Sequence, residues 1–397
     1  MMRLAKSVSI VLFVPAVAAA QKPYSLAKPD VEYAEPFSQV AGLRELANGR
    51  VLISDAREKV IQLIDFRGGA VMVGREGGGP SEYASPTRIV ALPGDTSAIY
   101  DAGKGRYLIV DPDGSLGNDF RLDAVGGGSQ QGLGLSVRAS PHGIDARGNI
   151  YVQGSPFHLD SHGLLMPSDS APVIRFDRAT LRADTVAFTR LAKRNGSVAG
   201  TAGGGVELRN GLANPLVPRD EWVALPDGRV AVIRADDYHA DLYVSRTVTR
   251  SGPRIAFERI KVDDAVKKMV EEQRIQVRRN APNRVAGRGG APPSGLPPPT
   301  RPFFTDWPDF MPPFLAEAAV ARPNGQIWVL RTQRTGNDAP LYDVLDDDGR
   351  LIGHVRLPHK TRLVGFGQGT VYLVRIDDDD LEYLQRYRLP FDAVLKG

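Results

Sequence analysis

The 397-residue chain contains no cysteine. That excludes disulfides, thiolate zinc sites, iron–sulfur clusters and cysteine nucleophiles together. A surplus of one charge is also missing: 50 Lys and Arg stand against 46 Asp and Glu, too narrow a margin for a nucleic-acid footprint. Gly-x-Ser-x-Gly does not occur, which leaves the usual α/β-hydrolase nucleophile without support. Gly77-Gly78-Gly79 lacks the Lys-Ser/Thr ending and a following helix, so it is no nucleotide loop. EF-hand spacing is absent as well. The runs Asp377-Asp378-Asp379-Asp380 and Asp346-Asp347-Asp348 therefore read as solvated hairpin turns, since consecutive carboxylates on a short turn rarely converge on one ion.

Glycine and proline are plentiful, 42 and 30 residues, which argues against a helical bundle or a long coiled coil. An apolar content of 42% is ample for a packed core. At the start, Arg3 and Lys6 precede an apolar run from Val8 to Val17 and then Ala18-Ala19-Ala20. This is the plan of a secretory signal peptide over residues 1–20, with an uncleaved anchor as the alternative; the run is short for a bilayer. No later stretch reaches membrane length, and no Cys is present to accept a lipid. The expected location is periplasmic or secreted.

The informative feature is a phrase in six copies, a tight turn followed by β-branched, apolar and aromatic residues. It reads Asn48-Gly49-Arg50-Val51-Leu52-Ile53-Ser54-Asp55 in the first copy and Pro226-Asp227-Gly228-Arg229-Val230-Ala231-Val232-Ile233 in the fourth. The others begin near Gly94, Gly148, Gly325 and Gly369. Asn-Gly and Asp-Gly tolerate the positive φ of hairpin turns, so each copy opens a strand. Acidic turns such as Asp111-Pro112-Asp113-Gly114 close a second hairpin, which makes a four-stranded antiparallel unit. Aligned on the turns, the steps are 46, 53, 80, 97 and 44 residues, and the short ones match the pitch of a propeller blade, about 40–50 residues. The expected fold is an all-β, six-bladed β-propeller over residues 21–397, with blades at 38–74, 86–122, 137–190, 218–262, 314–357 and 359–390. The sixth segment holds only three obvious strands, and Val31 to Phe37 supplies the fourth, closing the ring.

Gly74-Arg75-Glu76-Gly77-Gly78-Gly79-Pro80-Ser81-Glu82-Tyr83 with Pro86 resembles the inter-blade segment of NHL-repeat propellers. Pro141-His142-Gly143-Ile144-Asp145 with Gly148-Asn149-Ile150-Tyr151-Val152 is similar to the core of an NHL repeat. Residues Trp307 to Val329 resemble secreted bacterial six-bladed propellers of the TolB-like type. The resemblance spans roughly residues 30–390 and rests on fold motifs. It implies a group containing lyases, lactonases and many binding proteins without catalysis.

Three segments exceed the blade period. Residues 154–172 and 191–217 read as rim loops. Residues 263–313 form an insertion that starts with a helix capped by Asp263 or Asp264, carries Val266, Met269 and Val270 on one face, and ends at Asn280 and Pro282. Residues 281–302 hold seven prolines and four glycines, and 264–305 carry a net charge of +5. This basic flap is either a solvated insertion or a cover that binds an anion at one mouth. Trp307, Phe310, Met311 and Phe314 read as core packing.

In a propeller the first strand of each blade lines the channel. Counting back from each turn gives Gly42, Arg88, His142, Glu221, Ala318 and Arg362, with Arg44 and Glu317 beside theirs. Arg88, His142, Glu221, Glu317 and Arg362 are the ligand-binding candidates, suited to a carboxylate or phosphate through arginine forks, unless they merely pair with one another. The zinc histidines of the resembled peptide-amide lyases do not carry over: only His142 is in register, and His158, His162, His239, His354 and His359 are not. The lactonase cation set fails too, because Glu221 alone answers it. No metal, cofactor or complete catalytic motif is expected. The preferred function is a monomeric binding module for an envelope or extracellular protein, peptide or glycan. A binding module is marked by a solvent-filled channel with exposed apolar or aromatic patches on the rim. The alternatives are a hydrolase or lyase at the channel, marked by a buried cluster of His142, Glu221 and Arg88 with strongly shifted pKa values or by a metal, and a purely structural propeller, marked by a flat exposed patch and no pocket.

Overall fold

The computed structural model describes residues 22–389 apart from 27, 80, 123–140, 160–164, 181, 193–196, 201–205, 210–212, 281–302, 335 and 338. The expected leader and the proline-rich stretch lie outside the described residues. All six turn-opened phrases form strands: Val51–Asp55, Ser97–Asp101, Ile150–Gln153, Val230–Arg234, Ile327–Leu330 and Thr370–Ile376. Each pairs antiparallel with a preceding strand: Val40–Glu45, Pro86–Ala91, Pro141–Ile144, Glu221–Ala224, Ala319–Ala321 and Thr361–Phe366 respectively. Gly49 and Gly228, at φ 80° and 91°, show why the turns carry glycine. In the second blade the turn is a 3₁₀ turn over Pro93–Asp95, in which Gly94 again takes a positive φ, 75°.

Each blade continues outward by hairpins. The first, third and fourth have four antiparallel strands. The second has three, with Leu116 and Phe120 bridged to Val110 and Tyr107 where a fourth would run. In the sixth, Val31–Glu32 pairs antiparallel with Glu382–Arg388, and Phe37 bridges to Glu382. The amino-terminal segment thus closes the ring as expected. Tyr24–Ser25 adds, unanticipated, a parallel fifth strand beside Leu351–Arg356 of the fifth blade.

Because both faces of a blade are covered by neighbours, second strands such as Val51–Asp55 and Ser97–Asp101 are buried at every position. The cores lie between blades. Leu52 and Leu63 meet Ile99 and Leu108, Ala98 and Tyr107 meet Ile150 and Phe176, and Tyr151 and Val186 meet Trp222 and Val232. Val223 and Ile233 meet Ile327 and Val329, Trp328 and Val344 meet Leu363 and Val371, and Val40 and Ile53 meet Tyr372 and Leu384. Six such seams, first blade to sixth and back to the first, define the six-bladed β-propeller. At the axis the first strands crowd together: a Cβ on Gly42 would stand 2.6 Å from the Thr87 carbonyl oxygen, so only glycine fits there.

Buried carboxylates tie the inter-blade connections. Asp55 accepts backbone N–H bonds from Ser38 (2.7 Å), Gln39 (3.1 Å), Arg57 (2.9 Å) and Glu58 (3.0 Å), and Asp101 does the same for Ala84, Ser85 and Gly103. Charge-assisted bonds to a buried group are costly to lose. Asp55→Asn is therefore expected to lower stability by about 2–4 kcal/mol, read as a shift of the urea midpoint; a loss under about 0.5 kcal/mol, the range of an ordinary surface change, contradicts this role.

The insertion begins as expected. The helix Asp264–Asn280 is capped by Asp263, whose Oδ1 accepts the Val266 N–H at 3.0 Å. Val266 and Val270 bury against Leu216, Ile260, Phe304 and Met311 in a satellite core, with Met269 and Trp307 at its edge. Glu271 accepts the N–H groups of Phe303 and Phe304, both at 3.0 Å, and so pins the returning chain. Phe314 joins the seam between the fourth and fifth blades. Phe310 departs from the core assignment: it is exposed, with the Arg259 guanidinium 3.9 Å above its ring. The two rim segments also differ from plain loops. Phe157–Leu159 pairs with Leu165–Pro167, and Ser197–Gly200 with Val206–Arg209.

Candidate functional site at one mouth of the channel

An antiparallel blade sends its connections alternately to the two faces of the ring. The amino ends of all six innermost strands, and the connections entering them, therefore share one mouth. Arg88 is third in its strand, His142 and Arg362 second, Glu221 first, and Glu317 lies two residues before Ala319–Ala321. A cavity of about 600 Å³ runs along the axis, lined by Arg88, His142, Glu317 and Arg362 at this end and by Arg44 and Arg322 toward the other. That volume is in the range of small-ligand sites, roughly 300–1,000 Å³.

Four of the five candidates come together. The Glu221 side chain is 4% exposed, and its Oε1 stands 3.4 Å from Nε of Arg219, itself 39% exposed. Neither of these two atoms makes a hydrogen bond. The backbone N–H of Glu317 lies near the Glu221 carboxylate and favours its charged form. Glu317 is held at φ 61°, the left-handed region that a non-glycine residue enters only at a cost of order 1–3 kcal/mol, and such strain clusters at functional sites. Its own carboxylate is 77% exposed and lies 4.0 Å from Arg88, which is 37% exposed. The His142 ring stacks on Trp222, with centroids 4.7 Å apart and planes 20° from parallel. Trp222 is fixed in turn by its Nε1–H bond to Oε1 of Gln153 at 2.6 Å.

Arg362 belongs elsewhere. It lines the channel, but its Nη2 donates to Glu382 at 2.7 and 2.8 Å and to the Val40 carbonyl at 3.0 Å. Glu382 also accepts the Val40 N–H at 2.7 Å, so this set locks the closing seam. Arg44, at the other mouth, is bound by Asp95, Ser97 and the Thr96 carbonyl. Arg219 is the residue that counting along first strands overlooks, because it sits in the connection entering the fourth blade; its one signal is the adjoining Arg219-Asp220-Glu221 triplet of charges.

The electrostatics follow from this packing. Burial pushes the Glu221 carboxyl up to about 7 and the Glu317 charge adds to the rise, against the pull of Arg219, Arg88 and the Glu317 N–H. Burial pushes the His142 imidazole down to about 4, and the charges of Arg88 and Arg219 press it the same way. At neutral pH the mouth holds two arginines, the exposed Glu317 carboxylate, a neutral histidine and, in Glu221, a carboxyl group poised between its two forms. Among the described residues no three His, Asp or Glu side chains are grouped to hold a metal ion. Among them, too, no helix is long and apolar enough to cross a membrane.

No protein-family model and no curated protein sequence matches the chain. Among solved structures it is similar to a candidate exported protein of Bacteroides fragilis, at 13% identity over 93% of this chain and 94% of that one, TM-score 0.43. It is also similar to a gluconolactonase of Xanthomonas campestris (12% identity, 93% and 99% covered, TM-score 0.41) and to virginiamycin B lyase of Staphylococcus aureus (9% identity, 89% and 97% covered, TM-score 0.42).

Proposed function

We propose that the protein is a binding propeller of the periplasm or the extracellular space, and that its ligand is a peptide or glycan segment presenting a carboxylate or phosphate to Arg88 and Arg219. One observation carries the reading. Both arginines are more than a third exposed, Arg88 on the wall of the cavity of about 600 Å³ and Arg219 in the connection entering the fourth blade, outside that lining, each with a carboxylate partner no nearer than 3.4 Å. Arg44 and Arg362, on the same axis, are instead spent on hydrogen-bonded partners. An arginine held loosely is available to a fork-shaped oxyanion.

The test is calorimetric titration with acidic oligosaccharides and with peptides bearing a free C-terminus. The paired substitution Arg88→Ala and Arg219→Ala is expected to weaken binding by about 10–100-fold, the worth of one or two charge-assisted bonds. Binding unchanged by the pair, or absent across the panel, removes the reading. A second reading, acid–base catalysis at the same mouth, is favoured by the carboxyl of Glu221 near 7 beside a neutral imidazole. It requires turnover of an ester, amide or glycosidic bond that Glu221→Gln abolishes.

A further inference from the structure

Glu221 and Arg219 form an ion pair of an unusual kind. The carboxylate is almost wholly buried, yet its Oε1 and the arginine Nε face each other at 3.4 Å without a hydrogen bond. Most buried carboxylates of this protein are held tightly instead. The neighbouring Asp220 accepts from Nη1 of Arg234 at 2.7 Å and from the Arg190 N–H at 2.9 Å. Asp343 accepts from Tyr238, Arg331 and His354 at 2.7–3.1 Å. A buried charge retained by so loose a partner depends on that partner staying in place, because its remaining support is the nearby Glu317 backbone N–H and the more distant charge of Arg88.

We infer that oxyanion binding at this mouth takes up a proton: an anion that engages Arg219 draws the counter-charge from Glu221, and the buried carboxylate becomes a neutral carboxylic acid. The inference rests on the anion-binding reading above. Arg219 has one guanidinium to share between an internal and an external anion. The external anion is solvent-accessible and the internal one is not, so the internal one is the group that changes its charge. The surrounding charges favour the exchange. Glu317, from the connection into the fifth blade, repels the Glu221 carboxylate, and Arg88 from the second blade is drawn to the same incoming anion. His142, from the third blade, is neutral across this range because it titrates near 4. Asp220 is occupied by Arg234 and Arg190.

The experiment uses acetate and sulfate, two oxyanions that do not titrate between pH 6 and pH 9 and that separate planar carboxylate from tetrahedral recognition. Titration of the full chain in two buffers of different ionisation enthalpy reads the protons taken up per anion bound. The expected result is uptake that rises from a small fraction at pH 6 toward one proton at pH 8. Affinity then falls by up to about tenfold per pH unit above the Glu221 midpoint. Glu221→Gln, which cannot titrate, is expected to bind with equal affinity at pH 6 and pH 8. Anion binding that depends on Arg88 and Arg219 but takes up no proton in the wild-type chain overturns this inference and leaves the binding reading standing. Absence of wild-type binding to both anions in the millimolar range overturns both. The wild-type proton count decides the matter even where the variant fails to fold.

Discussion

Glu221→Gln is expected to make the protein more stable at pH 8 and to change little at pH 4. The sign follows from linkage. An unfolded glutamate titrates at 4.5, whereas burial holds Glu221 near 7 in the folded chain. Between these values the native state binds the additional proton, so stability falls as pH rises through the window and levels off above about 7. A shift of this size is worth about 3 kcal/mol, a large fraction of the 5–15 kcal/mol typical of a folded domain. The glutamine keeps the shape and carries no charge, so it escapes the cost at pH 8. At pH 4 the wild-type group is itself neutral and the difference vanishes. Loss of the counter-charge to the partly exposed Arg219 subtracts about 1 kcal/mol at most. Equilibrium denaturation of both proteins at the two pH values checks the prediction, and a variant equally or less stable at pH 8 refutes it. His142 has the mirror-image behaviour. Its folded value near 4 lies below the 6.5 of an unfolded histidine, so its penalty appears as pH falls below 6.5 and is complete below about 4.

The parts of this site that the sequence revealed are those set by local register. A hairpin turn fixes which residue opposes which, so a glycine at position 49 or 228 places residues six or seven positions earlier on the innermost strand: Gly42 opposite Ser54, and Glu221 opposite Ile233. The same spacing puts Arg88, His142 and Glu221 around one axis from register alone. What stayed hidden depends on contacts between distant segments. Arg219 lies outside any strand. The left-handed backbone of Glu317 sits at a residue whose type gives no warning of positive φ. The engagement of Arg362 by Glu382 is a ring-closure contact, visible only once the carboxy-terminal strands meet Val40. Tyr24–Ser25 is two residues long and pairs in parallel with a strand more than 300 positions away, which leaves no periodic trace. The rim hairpins were masked by polar and glycine-rich composition around His158 and Gly196.

Starting the chain at Ser38 is expected to abolish the folded ring, the largest effect of any change considered. A propeller is held by seams between neighbours, and the sixth blade is incomplete without residues 31–37. The backbone of Asp30 and Tyr33 donates to Arg386 and Leu384 (2.9 and 2.8 Å), and Phe37 exchanges bonds with Glu382 in both directions at 2.8 Å. Leu26 donates to Arg356 at 3.0 Å beside the parallel strand. Arg386 pairs with Asp30 at 2.9 Å and Arg375 with Glu32 at 3.1 Å. Leu26 and Phe37 are buried, which contributes about 3–6 kcal/mol by area alone, comparable to the net stability of a typical domain. The truncation would also leave Glu382–Arg388 and Leu351–Arg356 as open strand edges, which recruit other chains. The shortened protein should therefore show no cooperative thermal transition and should elute as aggregate in size exclusion. Starting the chain at Gln21 removes none of these contacts and should melt like the full chain. A truncation at Ser38 that still melts cooperatively, within a few degrees of the full chain, would mean that the retained set of Val40, Arg362 and Glu382 closes the circle without the amino-terminal segment.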